Sequence, residues 1–101
     1  MKKIYIIGDM HTVSSLRLQG VTGVVCSKDQ SLSRLEEVMA KGDAGIVVIT
    51  NELAENLTER IMEINLSNLG LVIIEVPGID DTKGLIKSEV AFIAEALGIA
   101  L

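Results

Sequence analysis

The sequence predicts an α/β domain: a small four-stranded parallel sheet, strand order 2-1-3-4, with helices on both faces. Three observations carry this expectation. Four apolar, β-branched runs recur, at Ile4–Ile7, Val21–Cys26, Ala44–Ile49 and Gly70–Val76. Three of them are nearly continuous rather than alternating, as strands are when both faces are covered. Segments of helical spacing lie between them, and strict strand–helix alternation favours a parallel sheet with right-handed crossovers. At 101 residues the chain suits one domain.

The elements follow in order. After the first strand, Met10–Gln19 reads as a short helix, with Thr12 as its expected N-cap and Gly20 as its stop. Ser27-Lys28-Asp29-Gln30 has capping-box spacing. Leu32, Leu35 and Met39 then share one helical face, and Gly42 ends the helix. From Asn51 a third helix places Leu53, Leu57, Ile61 and Ile64 within an arc of about 80°, with Glu52, Glu55, Glu59 and Glu63 opposite. Pro77-Gly78 punctuates the fourth strand, and Leu85–Leu97 reads as a last helix. Residues 1–78 are thus expected to form the globular body. Residues 79–101 supply a linker and C-terminal helix belonging to the same unit.

Composition narrows the function classes. Nine basic side chains face fourteen acidic ones, a balance of −5 that argues against binding nucleic acid. The excess is uneven: residues 1–50 carry six basic and five acidic side chains, residues 51–101 three and nine. With Tyr5 and Phe92 the only aromatics, the core is aliphatic and base-stacking platforms are not expected. The single Cys26 cannot form an internal disulfide and reads as a small buried hydrophobe. The apolar start Ile4–Ile7 is too short for a signal peptide, and no run approaches a membrane span, so a soluble, cytoplasmic protein is expected.

In such a sheet the usual ligand crevice lies at the strand C-termini, between the first and third strands. Here it would be lined by Gly8-Asp9-Met10-His11-Thr12 and Thr50-Asn51-Glu52. Neither a GxGxxG fingerprint nor a phosphate loop occurs there, and no cofactor is expected. A phospho-receiver shares this winding but needs a carboxylate pair after the first strand and an acceptor Asp after the third. Asp9 stands alone, and Thr50-Asn51 occupies the acceptor position. A phosphocysteine carrier would need Cys in the first loop, which has none. His11 is the only histidine, so no zinc-type cluster or Ser/His/Asp set is evident. The glutamate row reads as a solvated helix face or, less simply, as a contact for a basic partner.

The C-terminal segment stands out. In residues 85–101 only Lys87, Ser88, Glu89 and Glu95 are polar besides Gly98. Leu85, Ile86, Val90, Phe92, Ile93, Ala96 and Leu97 span roughly 160° of the wheel, and Ala91 and Ala94 extend the apolar surface to the far side. Either this helix packs on the sheet with tolerated surface alanines, or its second face docks on another protein. The second option selects Val90, Ala91, Phe92, Ala94, Leu97, Ile99 and Leu101 as interface residues. A small flavodoxin-like ligand-binding module and a degenerate receiver acting as a protein-binding switch are the rival classes.

Several blocks together resemble the F subunits of V-type (archaeal/bacterial A-type) ATPases/ATP synthases. They are Lys3-Ile4-Tyr5-Ile6-Ile7-Gly8-Asp9 with Thr12-Val13 and Arg17-Leu18-x-Gly20-Val21, then Ile49-Thr50-Asn51-Glu52-Leu53-Ala54, Val72–Gly78 and Ala96-Leu97-Gly98-Ile99. Departures are Leu16 for a usual Phe, His11 for a frequent acidic residue and Val76 for Ile before the Pro. The resemblance implies a non-catalytic part of the central rotor stalk that binds no cofactor. Its C-terminal segment would pack along the coiled coil of the D subunit within the ring of A and B subunits. Leu85, Val90, Phe92, Ile93 and Leu97 would then divide between sheet and coiled coil. A protein of this kind is peripheral to the membrane through its complex and couples ATP hydrolysis or synthesis to proton or sodium transport.

Overall fold

A computed structural model describes residues 2–17, 21–67 and 70–76. Strands β1 (Lys3–Gly8), β2 (Thr22–Val25), β3 (Ala44–Thr50) and β4 (Val72–Val76) form one parallel sheet in the order β2-β1-β3-β4, as expected. The helices are α1 (Met10–Arg17), α2 (Ser31–Ala40), α3 (Asn51–Ala54) and α4 (Thr58–Leu66). A single 3-10 turn, Lys28–Gln30, leads into α2.

Alternation along each strand divides the apolar residues between two cores. Tyr5 and Ile7 of β1, Val47 and Ile49 of β3 and Ile73 of β4 enter one core. There they meet Leu35 and Val38 of α2, Leu53 and Ala54 of α3, and Leu57, Ile61 and Ile64. Ile4 and Ile6, Ile46 and Val48, and Val76 enter the other, together with Val13 of α1 and Val21. Winding outward in both directions from β1 and β3 therefore places α1 on one face and α2–α4 on the opposite one. Continuous apolar runs are the consequence, because each successive side chain has a core to enter.

Several local expectations change. Thr12 lies inside α1, and the side chain that caps the helix is Asp9. Leu32 points outward, 47% exposed, while Ser31, Leu35 and Val38 form the buried stripe and Met39 is half-buried. Spacings of four and three align those buried positions, and Leu32 falls beside them. Gly42 does stop α2: its φ is +74°, and its N–H donates to Met39 O at 3.1 Å. The third helix is broken into α3 and α4. Leu57, at φ −114° and ψ 10°, turns its N–H onto Ala54 O at 2.9 Å. Asn56 and Thr58 flank this step and are weak formers of helix interior. All four anchors, Leu53, Leu57, Ile61 and Ile64, are nonetheless buried, and all four glutamates face solvent. Cys26 is half-buried against the α2 core, and desolvation pushes its thiol pKa up.

Candidate functional site

The crevice between the C-terminal ends of β1 and β3 is where a sheet of this winding would hold a ligand. β1 ends at Gly8, and Asp9 turns the chain into α1. Its carboxylate accepts twice from Thr12: Oδ2 from the backbone N–H at 3.1 Å and Oδ1 from the hydroxyl at 2.6 Å. The Asp9 carbonyl also accepts from Val13 N–H at 3.0 Å. Desolvation works to raise the Asp9 pKa. Hydrogen bonds from the Thr12 hydroxyl and from the Thr12, Asp9 and His11 amides outweigh it and hold the carboxyl below its usual value. Such a carboxylate serves as an ionised helix cap, which its position at the positive end of α1 also favours.

From the other side, β3 ends at Thr50, buried like Thr12. A Cβ on Gly8 would stand 3.0 Å from Thr50 Cγ2 and 3.7 Å from Thr12 Cβ. The two loops therefore pack through a glycine backbone and two threonine side chains. This is the job of Gly8: it brings α1's first turn against the end of β3. Met10, His11, Asn51 and Glu52 stand around this packed floor, all exposed. Among the described residues, no three His, Cys, Asp or Glu side chains come close enough to share a metal ion. Of the crevice's polar side chains, Asp9 and Thr12 are engaged with each other in capping α1, and Thr12 and Thr50 pack about Gly8.

Charge is organised elsewhere. Arg60 of α4 grips Glu36 of α2 through two hydrogen bonds, Nε at 3.0 Å and Nη2 at 2.8 Å, and also pairs with Glu63. These acceptors raise its pKa further. Lys28 ties the start of the 3-10 turn to Glu55 at 2.9 Å. Two of the four glutamates in the row are thus engaged. Glu52 and Glu59 have no ion-pair partner among the described residues. The apolar spacing of the chain does not announce that Met62 and Leu66 lie exposed on α4. A wheel of Thr58–Leu66 alone, without the residues before the break, would separate them from Ile61 and Ile64.

The interface residues expected from the sequence, Val90, Ala91, Phe92, Ala94, Leu97, Ile99 and Leu101, lie outside the described residues. The same holds for the expected boundary at residues 78–79. No helix among the described residues is long and apolar enough to cross a membrane.

Similarity to known proteins runs along most of the chain. Residues 4–91 match the family model of the ATP synthase (F/14-kDa) subunit. The F subunit of the A-type ATP synthase of Thermococcus kodakarensis is 30% identical, with 98% of this chain and 97% of that one covered. Its counterpart in Methanococcus aeolicus is 29% identical over 98% of both chains. That of Methanocaldococcus jannaschii is 27% identical, covering 87% of this chain and 94% of its own. On the strength of this match the chain belongs to the family of ATP synthase (F/14-kDa) subunits.

Proposed function

We propose that this protein is a non-catalytic component of the central stalk of an A- or V-type ATPase/ATP synthase. It stabilises the rotating shaft with the D subunit and helps couple ATP hydrolysis or synthesis to proton or sodium transport. The observation that carries the reading is near full-length similarity to the F subunits of A-type ATP synthases. The crevice geometry is in keeping with it: Asp9 and Thr12 are bonded to each other at the start of α1, and Thr12 and Thr50 pack about Gly8. On this reading the protein works on the cytoplasmic side, attached to the membrane through its complex.

Residues 1–78 would act as the body and 79–101 as the docking segment. Val90, Ala91, Phe92, Ala94, Leu97, Ile99 and Leu101 would meet the coiled coil of the D subunit, with the A/B ring nearby. Deleting Val90–Leu101 tests this. The shortened chain should keep its folded body, by circular dichroism and a cooperative melt, and lose co-purification with the D subunit. Unchanged co-purification would overturn the docking assignment. Failure of the full-length chain to associate with the A, B and D subunits would overturn the stalk reading.

A further inference from the structure

We infer that the outer face of α4 is a second docking surface, fitted to an amphipathic helix of another protein whose apolar seam is bordered by Lys or Arg. Met62 and Leu66 stand one turn apart and are 58% and 78% exposed. At a spacing of four they form one continuous apolar stripe. Glu59 and Glu63 run beside the stripe with the same spacing, both exposed. Residues 51–66 contain four glutamates and one basic side chain, Arg60, which is already held by Glu36 and Glu63.

The orientation of this face is fixed from behind. Ile61 and Ile64 are buried in the α2-side core. Asn65, between Ile64 and Leu66, turns its amide onto the backbone of Ile73 in β4. The last turn of α4 is thereby clamped to the sheet with Leu66 outward. A face held in this way loses little freedom on binding, which favours affinity. Met62 adds an adaptable side chain of the kind used at variable contacts.

Charge selects the occupant. Nucleic acid and anionic lipid are repelled by the glutamates, and a second copy of this chain, itself at −5, would bring like charge to the same face. A helix presenting leucine-like residues with flanking cations satisfies both the stripe and its border. This surface is built from residues of α4 alone, and the inference does not require the stalk reading.

The test uses the full chain and a pair of labelled synthetic helical peptides, read by fluorescence anisotropy. Both carry the same leucine seam, one bordered by lysines and its twin by glutamates. The lysine-bordered peptide should bind and weaken with added salt, and its twin should not bind. Leu66→Ser and Glu59→Lys should each lower affinity several-fold without changing the melting profile, because both sites are exposed. Leu32→Ser, at an exposed leucine on α2, should leave binding unchanged. Equal binding of the two peptides, no binding of either, or equal loss with Leu32→Ser would overturn the inference. The co-purification experiment with the D subunit reports separately on the stalk assignment.

Discussion

Asn65 closes the outer edge of β4 by gripping Ile73 through both backbone groups. Its Nδ2 donates to Ile73 O at 3.0 Å, and its Oδ1 accepts from Ile73 N–H at 2.7 Å. Among the described residues β4 is the last strand of the sheet, with β3 on its other side. One side-chain amide therefore takes the place of a neighbouring strand at that residue. Exposed strand edges invite pairing with other chains, and covering them is a general protection. Asn65→Ala should leave the Ile73 N–H and carbonyl without these partners. It should destabilise the fold by about 1–3 kcal/mol, measured from denaturant midpoints. Sedimentation should also show stronger concentration-dependent association than the parent chain gives. Asn65→Asp should recover only the bond accepted from the Ile73 N–H.

Gly8 and Thr50 make a second coupled pair. A methyl at Gly8 would lie 3.0 Å from Thr50 Cγ2 and in ordinary contact with Thr12 Cβ at 3.7 Å. Gly8→Ala should destabilise by about 1–3 kcal/mol through overpacking. Thr50→Ser removes the opposing methyl. The double substitution should be more stable than the sum of the single effects by at least about 0.5 kcal/mol. Thermal melts of the four proteins in the cycle measure this. Strict additivity would mean that the two loops do not meet through these atoms.

The architecture was legible because burial on both faces leaves a continuous apolar signature in Ile4–Ile7 and Ala44–Ile49. Strand order followed from strand–helix alternation. Local phase was less legible. Leu32 and Leu35 are both apolar, and only the 3-10 entry with a buried Ser31 decides that Leu35 turns inward and Leu32 outward. The break at Leu57 was hidden for a related reason: its side chain stays in the core, so apolar spacing carries through a backbone that does not. In the crevice, the absence of a phosphate-binding pattern was readable from Gly8–Thr12. That Asp9 rather than Thr12 would cap α1 depends on backbone geometry one turn away. The Asn65 clamp had no sequence signal, since an asparagine near a helix end more often suggests a local cap.

Acid should weaken the fold partly through Asp9. Hydrogen bonds to Thr12 and nearby amides hold its folded pKa below the ordinary 3.8. Its contribution is therefore complete above the unfolded value and is lost as pH falls through the folded one. Asp9→Ala should cost about 1 kcal/mol at neutral pH, the usual scale for a lost N-cap. The difference from the parent should shrink below about pH 4, where the parent carboxylate also takes up a proton. Asp9→Asn should retain most of the cap, and its stability should depend less on acid. Urea titrations between neutral and acid pH distinguish the three proteins.

Tyr5 makes the corresponding prediction at high pH. Its ring is buried at 1% exposure, and its hydroxyl donates to Asp43 Oδ1 at 2.6 Å. Lys3 holds the other carboxylate oxygen of Asp43 at 3.3 Å, and Lys41 Nζ lies 5.6 Å from the ring centre. The hydrogen bond to Asp43, then burial, then the negative charge of Asp43 push the phenol up to about 12 from the ordinary 10.0. Because Tyr5 is the only tyrosine and there is no Trp, its ultraviolet ionisation spectrum is unobscured. The folded protein should keep the phenol protonated through pH 10 and ionise near 12, while the urea-unfolded chain should ionise near 10. Between those values the unfolded state releases a proton that the folded state retains, so stability should fall as pH rises. Tyr5→Phe should lower stability by about 1–2 kcal/mol at neutral pH. That deficit should narrow across the same alkaline window, because the Phe variant has no phenolic proton to lose. Ionisation of the folded parent near 10 would mean that the hydroxyl is not bound to Asp43.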